Sequence, residues 1–329
     1  MIRIPERIYL ANLPTKIEKL DRLSKKLGGP DIFIKRDDQT GTEFSGNKVR
    51  KLEFSIKEAI DKECNCIITC GGVQSNHCRA TAAVAVKFGM KCCLVLRGNK
   101  NTEPDGNLFL DKLFGTEVLF VSDDEYYSHR MEIMERIKKE NEKRGYTSYI
   151  IPVGASDGIG SFGYYLAMQE IIEQEKELHV HFDCIILAVG SGGTYAGLLL
   201  AKKIFKHNAQ ICGFSVCDDK VYFKKRIKEI FYESVSYLDI SLTVSEDEIN
   251  IVDGYKGIGY ALSRKEELQF IYDFAKLEGI ILDPVYTGKA MYGLTEEIRK
   301  GHFNNFKNIL FIHTGGLFGL FPQKKLFEF

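Results

Sequence analysis

Four stretches of the chain carry residue types suited to chemistry, and the most specific is Phe44-Ser45-Gly46-Asn47-Lys48-Val49-Arg50-Lys51-Leu52-Glu53. Val49, Leu52, Ile56, Ala59 and Ile60 recur at helical spacing, Ser45 has the chemistry of an N-cap, and the β-like run Asp31–Arg36 precedes them. Lys48 is therefore expected in the first turn of a helix that leaves a strand. Unpaired N–H groups and the positive pole of the helix gather at that end and disfavour an ammonium. A lysine with a lowered pKa keeps more free amine for attack on a carbonyl. Taken alone, Lys48 reads more simply as one of 45 basic side chains on a solvated face. The other stretches decide.

The second, Gly190-Ser191-Gly192-Gly193-Thr194, lies between an apolar strand and a helix. Glycines let backbone N–H groups converge on one anion, the helix start adds its dipole, and Ser191 and Thr194 add hydroxyl donors. This predicts a phosphate cradle. No Gly-Lys-Ser/Thr follows, so it is not a P-loop, and Tyr195 takes the place of the third glycine of a dinucleotide fingerprint. Asp218 and Asp219 follow the next strand, where a ribose-binding acid would sit, so a nicotinamide-dependent oxidoreductase stays open as an alternative. The third stretch is Gly71-Gly72-Val73-Gln74-Ser75-Asn76-His77. It suits capture of a carboxylate by backbone N–H groups and the Ser75 hydroxyl, or Ser75 or Asn76 simply caps the next helix. His77 reads equally as a capping, supporting or catalytic group. The fourth pairs Asp283-Pro284-Val285-Tyr286-Thr287-Gly288-Lys289 with His313-Thr314-Gly315-Gly316, each of which alone is a turn.

Lys+Arg and Asp+Glu are equal at 45, so no basic excess points to nucleic acid and no acidic tail to disorder. The opening residues Met1–Arg7 lack the apolar core of a signal peptide, and no apolar run reaches membrane-span length. A soluble cytoplasmic protein that binds neither nucleic acid nor membrane is expected. Cys64, Cys66, Cys70, Cys78, Cys92 and Cys93 cluster without a repeated C-x-x-C pair and mostly inside strand-like runs. They read as buried thiols, neither disulfides nor metal ligands, and no metal is expected.

Behind these stretches the chain alternates. Apolar runs at Cys66–Cys70, Lys91–Leu96, Glu117–Val121 and Tyr149–Val153 are separated by helical segments at Cys78–Phe88, Asn107–Phe114 and Tyr126–Lys143. The pattern restarts after Gly154–Gly160 with helix Phe162–Glu175, strand Asp183–Val189, helix Tyr195–Phe205, strand Gln210–Val216 and a helix around Val221–Phe231. Polar Leu242–Asn250 reads as loop or short helix; helices Lys265–Leu277 and Thr287–Lys300 and strand Ile309–Ile312 follow. Such βαβα alternation predicts an α/β protein of two doubly wound parallel-sheet lobes. Ligands in such folds sit at the carboxyl ends of strands, where these loops lie.

A lysine at a helix start, a Ser-Asn turn and a glycine-rich phosphate loop together are the parts needed to hold pyridoxal 5′-phosphate. The four stretches, in order, resemble the D-cysteine desulfhydrase / 1-aminocyclopropane-1-carboxylate (ACC) deaminase family, fold-type II pyridoxal-phosphate enzymes related to the tryptophan synthase β-subunit. The resemblance runs from about Leu10 to Leu320. It implies a larger cofactor-binding domain over 1–50 and 160–329, a smaller α/β domain over 51–159, the cofactor in the cleft between them, and a homodimer. It makes Lys48 the Schiff-base lysine and the base that takes the α-proton. Lys51 and residues Gly190 to Thr194 would hold the phosphate, and Asn76 the ring hydroxyl. Ser75 with the backbone after it would take the substrate carboxylate, with His77, Tyr286 and Tyr260 also at the substrate.

Within that family the ring-opening ACC deaminases carry Glu after the Tyr286 equivalent and tend to carry Leu in the His-x-Gly-Gly turn. This chain has Thr287 and Thr314, as the D-cysteine desulfhydrases do. A hydroxyl beside the cofactor's ring nitrogen stabilises its charge less than a carboxylate. The weaker electron sink suits β-elimination, in which electrons leave with a good leaving group such as thiolate. The expected reaction is α,β-elimination of D-cysteine to pyruvate, hydrogen sulfide and ammonia, with ACC deamination or L-cysteate sulfo-lyase activity as alternatives.

Overall fold

The computed structural model describes residues 2–328. The chain opens with β1 (Ile17–Lys19), α1 (Asp21–Leu27), β2 (Asp31–Lys35) and α2 (Asn47–Asp61). There follow β3 (Cys66–Gly72), α3 (Asn76–Lys87), β4 (Lys91–Arg97), α4 (Gly106–Leu113), β5 (Glu117–Val121), α5 (Asp123–Lys143) and β6 (Ser148–Ile150). A single 3-10 turn at Val153–Ala155 leads to α6 (Gly158–Leu178), β7 (Cys184–Val189), α7 (Gly193–Phe205), β8 (Gln210–Ser215), α8 (Lys220–Val235) and β9 (Asn250–Val252). Helices α9 (Lys265–Glu278) and α10 (Thr287–Arg299) precede β10 (Asn308–Ile312).

The strands form two sheets, in the orders β1-β2-β10-β7-β8-β9 and β5-β4-β3-β6. Every pairing is parallel except β1 with β2. Both faces of each sheet are covered, as near-continuous apolar strands require. In the larger sheet Phe33, Ile185, Leu187 and Leu310 join one core, while their neighbours Ile32, Ile34, Ile186 and Phe311 join the opposite one. In the smaller, Ile67, Leu94 and Leu96 alternate in the same way with Cys66, Ile68 and Val95. All nine cysteines carry free thiols, seven of them buried. No described helix is long and apolar enough to cross a membrane.

Two short edge strands, β1 and β9, were not expected. Each spans three residues, too few to show a period, and β9 exists because Asn250–Val252 pairs with Cys212–Phe214. The expected strand Tyr149–Val153 stops at Ile150. Pro152 has no N–H to continue a ladder. The N-cap of α2 also differs: it is Gly46, at φ 102°, with no side-chain cap. The Asn47 amide donates instead to Thr314 O at 3.1 Å, and a Cβ on residue 46 would lie 2.7 Å from that same oxygen. Close approach of two backbones, which only glycine permits, replaces the serine cap.

Helix α2 is anchored on three sides. Val49, Leu52, Ile56 and Ala59 pack in the smaller lobe's core. Arg50, 1% exposed, donates to both Asp37 oxygens at 3.0 and 2.7 Å and to Glu170 at 2.9 Å. Lys35 reaches Glu170 at 2.6 Å, and Tyr164 and Thr15 donate to Asp37 at 2.5 and 2.7 Å. Burial alone would raise the Asp37 carboxyl, but Arg50 and Lys35 outweigh it and hold it below its usual range. Glu53, one turn on, takes Arg7 at 2.7 Å and the Leu10 and Ala11 amides at 2.8 and 2.9 Å. The remaining face, with Lys48 and Lys51, is turned away from these anchors. Asp37→Ala strands a buried guanidinium and is expected to cost about 3–5 kcal/mol, read as a lowered urea midpoint; an unchanged midpoint would show that the cluster does not hold α2.

Candidate active site

The carboxyl ends of both sheets face one cavity of about 570 Å³. Gly71 and Gly72 at the end of β3, Arg97 at the end of β4, Gly190 to Gly192 after β7, Cys217 and Asp218 after β8 and Thr314 after β10 line it. Lys48, the second residue of α2, enters this cavity and makes no hydrogen bond to a described residue. Its surroundings withhold water from the ammonium, and that burial lowers its pKa to about 8. The lowering was expected from the helix pole; burial is the cause. Near pH 8 a large fraction of Lys48 is free amine.

Lys51, one turn later, is fully buried and donates to Gly154 O at 2.6 Å and Ser156 Oγ at 2.8 Å. Burial first, then the neighbouring Lys48, hold its pKa well below the ordinary lysine value. Ser156 Oγ also accepts the Gly193 amide at 3.2 Å and shares a hydrogen bond of 2.7 Å with Ser191. A Cβ on Gly193 would stand 2.6 Å from Lys51 Nζ and 2.7 Å from Ser156 Oγ. Gly190, Ser191, Gly192 and Thr194 line the cavity, whereas Gly193 is turned behind them toward Ser156. Asn47 completes the wall and donates to Thr194 Oγ1 at 3.0 Å. This corner presents a buried amine, hydroxyls and the free amides of the α7 N-terminus, an almost pure donor set without a carboxylate. It fits a phosphate dianion. Ser156 and Gly154 had no signal of their own in the sequence, because only folding brings them to the loop, and Asn47 stood in the first stretch without an assigned role.

On the facing wall Ser75 caps α3, accepting the Cys78 amide at 3.2 Å. The Asn76 and His77 amides of the first turn remain free, and with the Ser75 hydroxyl they make a donor set for a carboxylate. Asn76 Oδ1 accepts from Asn107 at 3.0 Å, and Asn107 is held by Gln74 and by Arg79 Nε at 2.9 Å. That network leaves the Asn76 side-chain N–H groups for a ligand. His77 is not poised for proton transfer. Thr69 donates to Ile151 O at 2.7 Å and so accepts from His77 Nε2 at 2.7 Å, while Thr81 stands 3.4 Å from Nδ1. Burial, then Lys48 and Lys51, hold the ring neutral.

Tyr260 and Tyr286 meet across the cavity, hydroxyl to hydroxyl at 2.7 Å, with rings edge to face. Burial raises both, Tyr260 to about 12 and Tyr286 well above the ordinary phenol value, so both stay protonated. Thr314 lines the cavity with no hydrogen bond from its hydroxyl to a described residue. Thr287 does not line it. Its hydroxyl donates to Asp283 Oδ1 at 2.7 Å and accepts the Asp283 amide at 2.9 Å, and Asp283 also takes the Val285, Tyr286 and Thr287 amides. The expected place of Thr287 beside the cofactor is thus corrected: its hydroxyl is spent on Asp283, which in turn accepts the amides at the start of α10. Of the two acids proposed for a ribose, Asp219 is spent, since it caps α8 by accepting the Tyr222 amide at 2.8 Å, while Asp218 lines the cavity.

Away from the cavity, Glu175, His181 and His207 lie close enough to suggest a metal. His207 Nδ1 accepts the Ala209 amide at 3.2 Å, so Nε2 carries the proton and donates to Glu175 at 2.8 Å. The cluster is satisfied by hydrogen bonds.

Known proteins resemble this chain over nearly its whole length. The model of the pyridoxal-phosphate dependent enzyme family matches residues 8–315. The chain is 43% identical, over 97% of its length and 99% of the relative's, to a putative 1-aminocyclopropane-1-carboxylate deaminase of Thermotoga maritima. It is 44% identical, over 95% of its length and 79% of the relative's, to the mitochondrial bifunctional D-cysteine desulfhydrase/1-aminocyclopropane-1-carboxylate deaminase of Arabidopsis thaliana. A solved structure of an ACC deaminase homologue superposes with a TM-score of 0.89 at 38% identity, covering 98% of this chain and 95% of its own. Lys51→Met is expected to weaken pyridoxal-phosphate binding about 10- to 150-fold, the worth of a charge-assisted hydrogen bond, and to leave binding of phosphate-free pyridoxal nearly unchanged in a spectroscopic titration. Equal losses for both ligands would remove Lys51 from the phosphate.

Proposed function

The chain belongs to the pyridoxal-phosphate dependent enzyme family, and from that premise we propose that it converts D-cysteine and water to pyruvate, hydrogen sulfide and ammonia. The observation that carries the choice is the lack of a carboxylate at positions 287 and 314. Thr287 is closed off by Asp283, and Thr314 offers the cavity a hydroxyl. When bound, pyridoxal phosphate supplies the electron sink that acidifies the substrate's α-carbon. A sink without a carboxylate partner suits a reaction whose electrons depart with sulfur.

Each residue then has one task. The Ser75 hydroxyl and the Asn76 and His77 amides bind the substrate carboxylate, and the Asn107 side chain keeps Asn76 turned toward the ligand. Lys48, neutral above about pH 8, takes the α-proton. Tyr286, kept protonated by burial and paired with Tyr260, gives a proton to the departing thiolate. The D-configuration is supported by the activity named for the Arabidopsis relative. That same name supports ACC ring opening as the second reading.

Sulfide and pyruvate from D-cysteine, set against α-ketobutyrate from ACC, test the choice. The expected kcat/KM favours D-cysteine by at least about tenfold, with no sulfide from L-cysteine; dominant α-ketobutyrate would overturn it. Lys48→Ala is expected to remove the visible absorbance of the bound cofactor along with turnover. Tyr286→Phe should keep that absorbance and lose about 10²- to 10⁴-fold in kcat, the range for a lost general acid; a loss under threefold would assign the proton to another group.

A further inference from the structure

Lys289 is fully buried in the first turn of α10, three residues after Tyr286. An ammonium is badly placed there, because the helix pole opposes it and water is excluded. The structure answers with backbone oxygen. Lys289 Nζ donates to Lys256 O at 2.8 Å, Gly259 O at 2.7 Å and Leu262 O at 3.0 Å, one acceptor for each N–H. No carboxylate among the described residues bonds it directly. Burial lowers its pKa, while Glu267 and Asp283 act at longer range to raise it.

The three carbonyls belong to a seven-residue segment without helix or strand, and Tyr260 stands inside it. Gly257 at φ 69° and Ala261 at φ 59° take left-handed backbone conformations in this bend. The Tyr260 ring packs over Gly72, where a Cβ would lie 3.2 Å from it. We propose that Lys289 is a positioning residue: its ammonium fills a backbone-carbonyl cage as a built-in cation, ties the 256–262 segment to the helix that follows Tyr286, and so holds the Tyr260 hydroxyl on Tyr286. The inference rests on the reading above that the two tyrosines act at the substrate. Without the ammonium, three carbonyls face one another with no donor between them and the segment opens, carrying Tyr260 with it.

The test uses the holoenzyme. Lys289→Met removes the charge and leaves the cage for an added cation. Expected is a loss of kcat of about a hundredfold, the usual effect of a displaced catalytic group, with the cofactor's absorbance retained. Hydrogen exchange of amides 256–262 should quicken. Ammonium or potassium ions should restore slow exchange and part of kcat, while lithium and tetramethylammonium, too small and too large, should not. If this variant folds poorly, Lys289→Gln, with two donors for three acceptors, should give a smaller loss and the same local change in exchange. Tyr260→Phe should be impaired and not rescued by any cation. Turnover and exchange of the folded Lys289 variant equal to wild type, or a loss that no cation repairs while exchange of 256–262 stays slow, would overturn the proposal. If Tyr260→Phe is itself unimpaired, the assignment of Tyr260 to the substrate fails, and the exchange data alone decide the cage.

Discussion

Arg50 has no water to solvate its charge, and only the pair Asp37 and Glu170 can take it. Removing a guanidinium from water costs several kcal/mol, recovered only if its hydrogen bonds are well made. That requirement sets the roll of α2. With Arg50 and Glu53 fixed on one side and Val49, Leu52 and Ile56 in a core on another, Lys48 is left to line the cavity and Lys51 to reach Gly154 and Ser156 at its wall. Gly163 lets α6 come close enough to complete the clamp, since a Cβ there would lie 2.4 Å from Arg50 O. The chemistry of the site begins with an ion pair that never touches it.

The cavity that results is unbalanced in charge. Two lysines stand one turn apart, the amides of two helix N-termini lie at the cavity, and no described carboxylate hydrogen-bonds either lysine. Such a site is costly to build in an empty protein, and an anionic ligand relieves it. The proposed reaction uses the same site, because burial lowers the Lys48 pKa to about 8. The opposite wall is made of protonated phenols. On the proposed reading, base and acid are separated by environment alone, as two groups with divergent pKa shifts allow.

The sequence exposed those features that depend on neighbours along the chain. Helical spacing located α2, glycines marked the turns after β3 and β7, and apolar runs located the central strands. Features made by distant segments stayed hidden. Ser45 looked like the cap of α2 until the backbone at Thr314 came near and required Gly46. Thr287 looked available until Asp283 used both its donor and its acceptor. Ser156 and Asn107 are ordinary polar residues whose value lies in which atoms they hold, from 35 or 31 residues away. Lys289 was legible as a residue of the fourth stretch, but nothing in its neighbours announced the three carbonyls.

The central claim is that burial makes Lys48 a neutral amine under mild conditions. The direct measurement is the pH dependence of the rate at which the protein freed of its cofactor captures pyridoxal phosphate, with Lys48→Ala as the blank. The account predicts a rate that rises about tenfold per pH unit and levels off near pH 8. A rate that keeps rising toward 10.5, the value of an ordinary lysine, would contradict it.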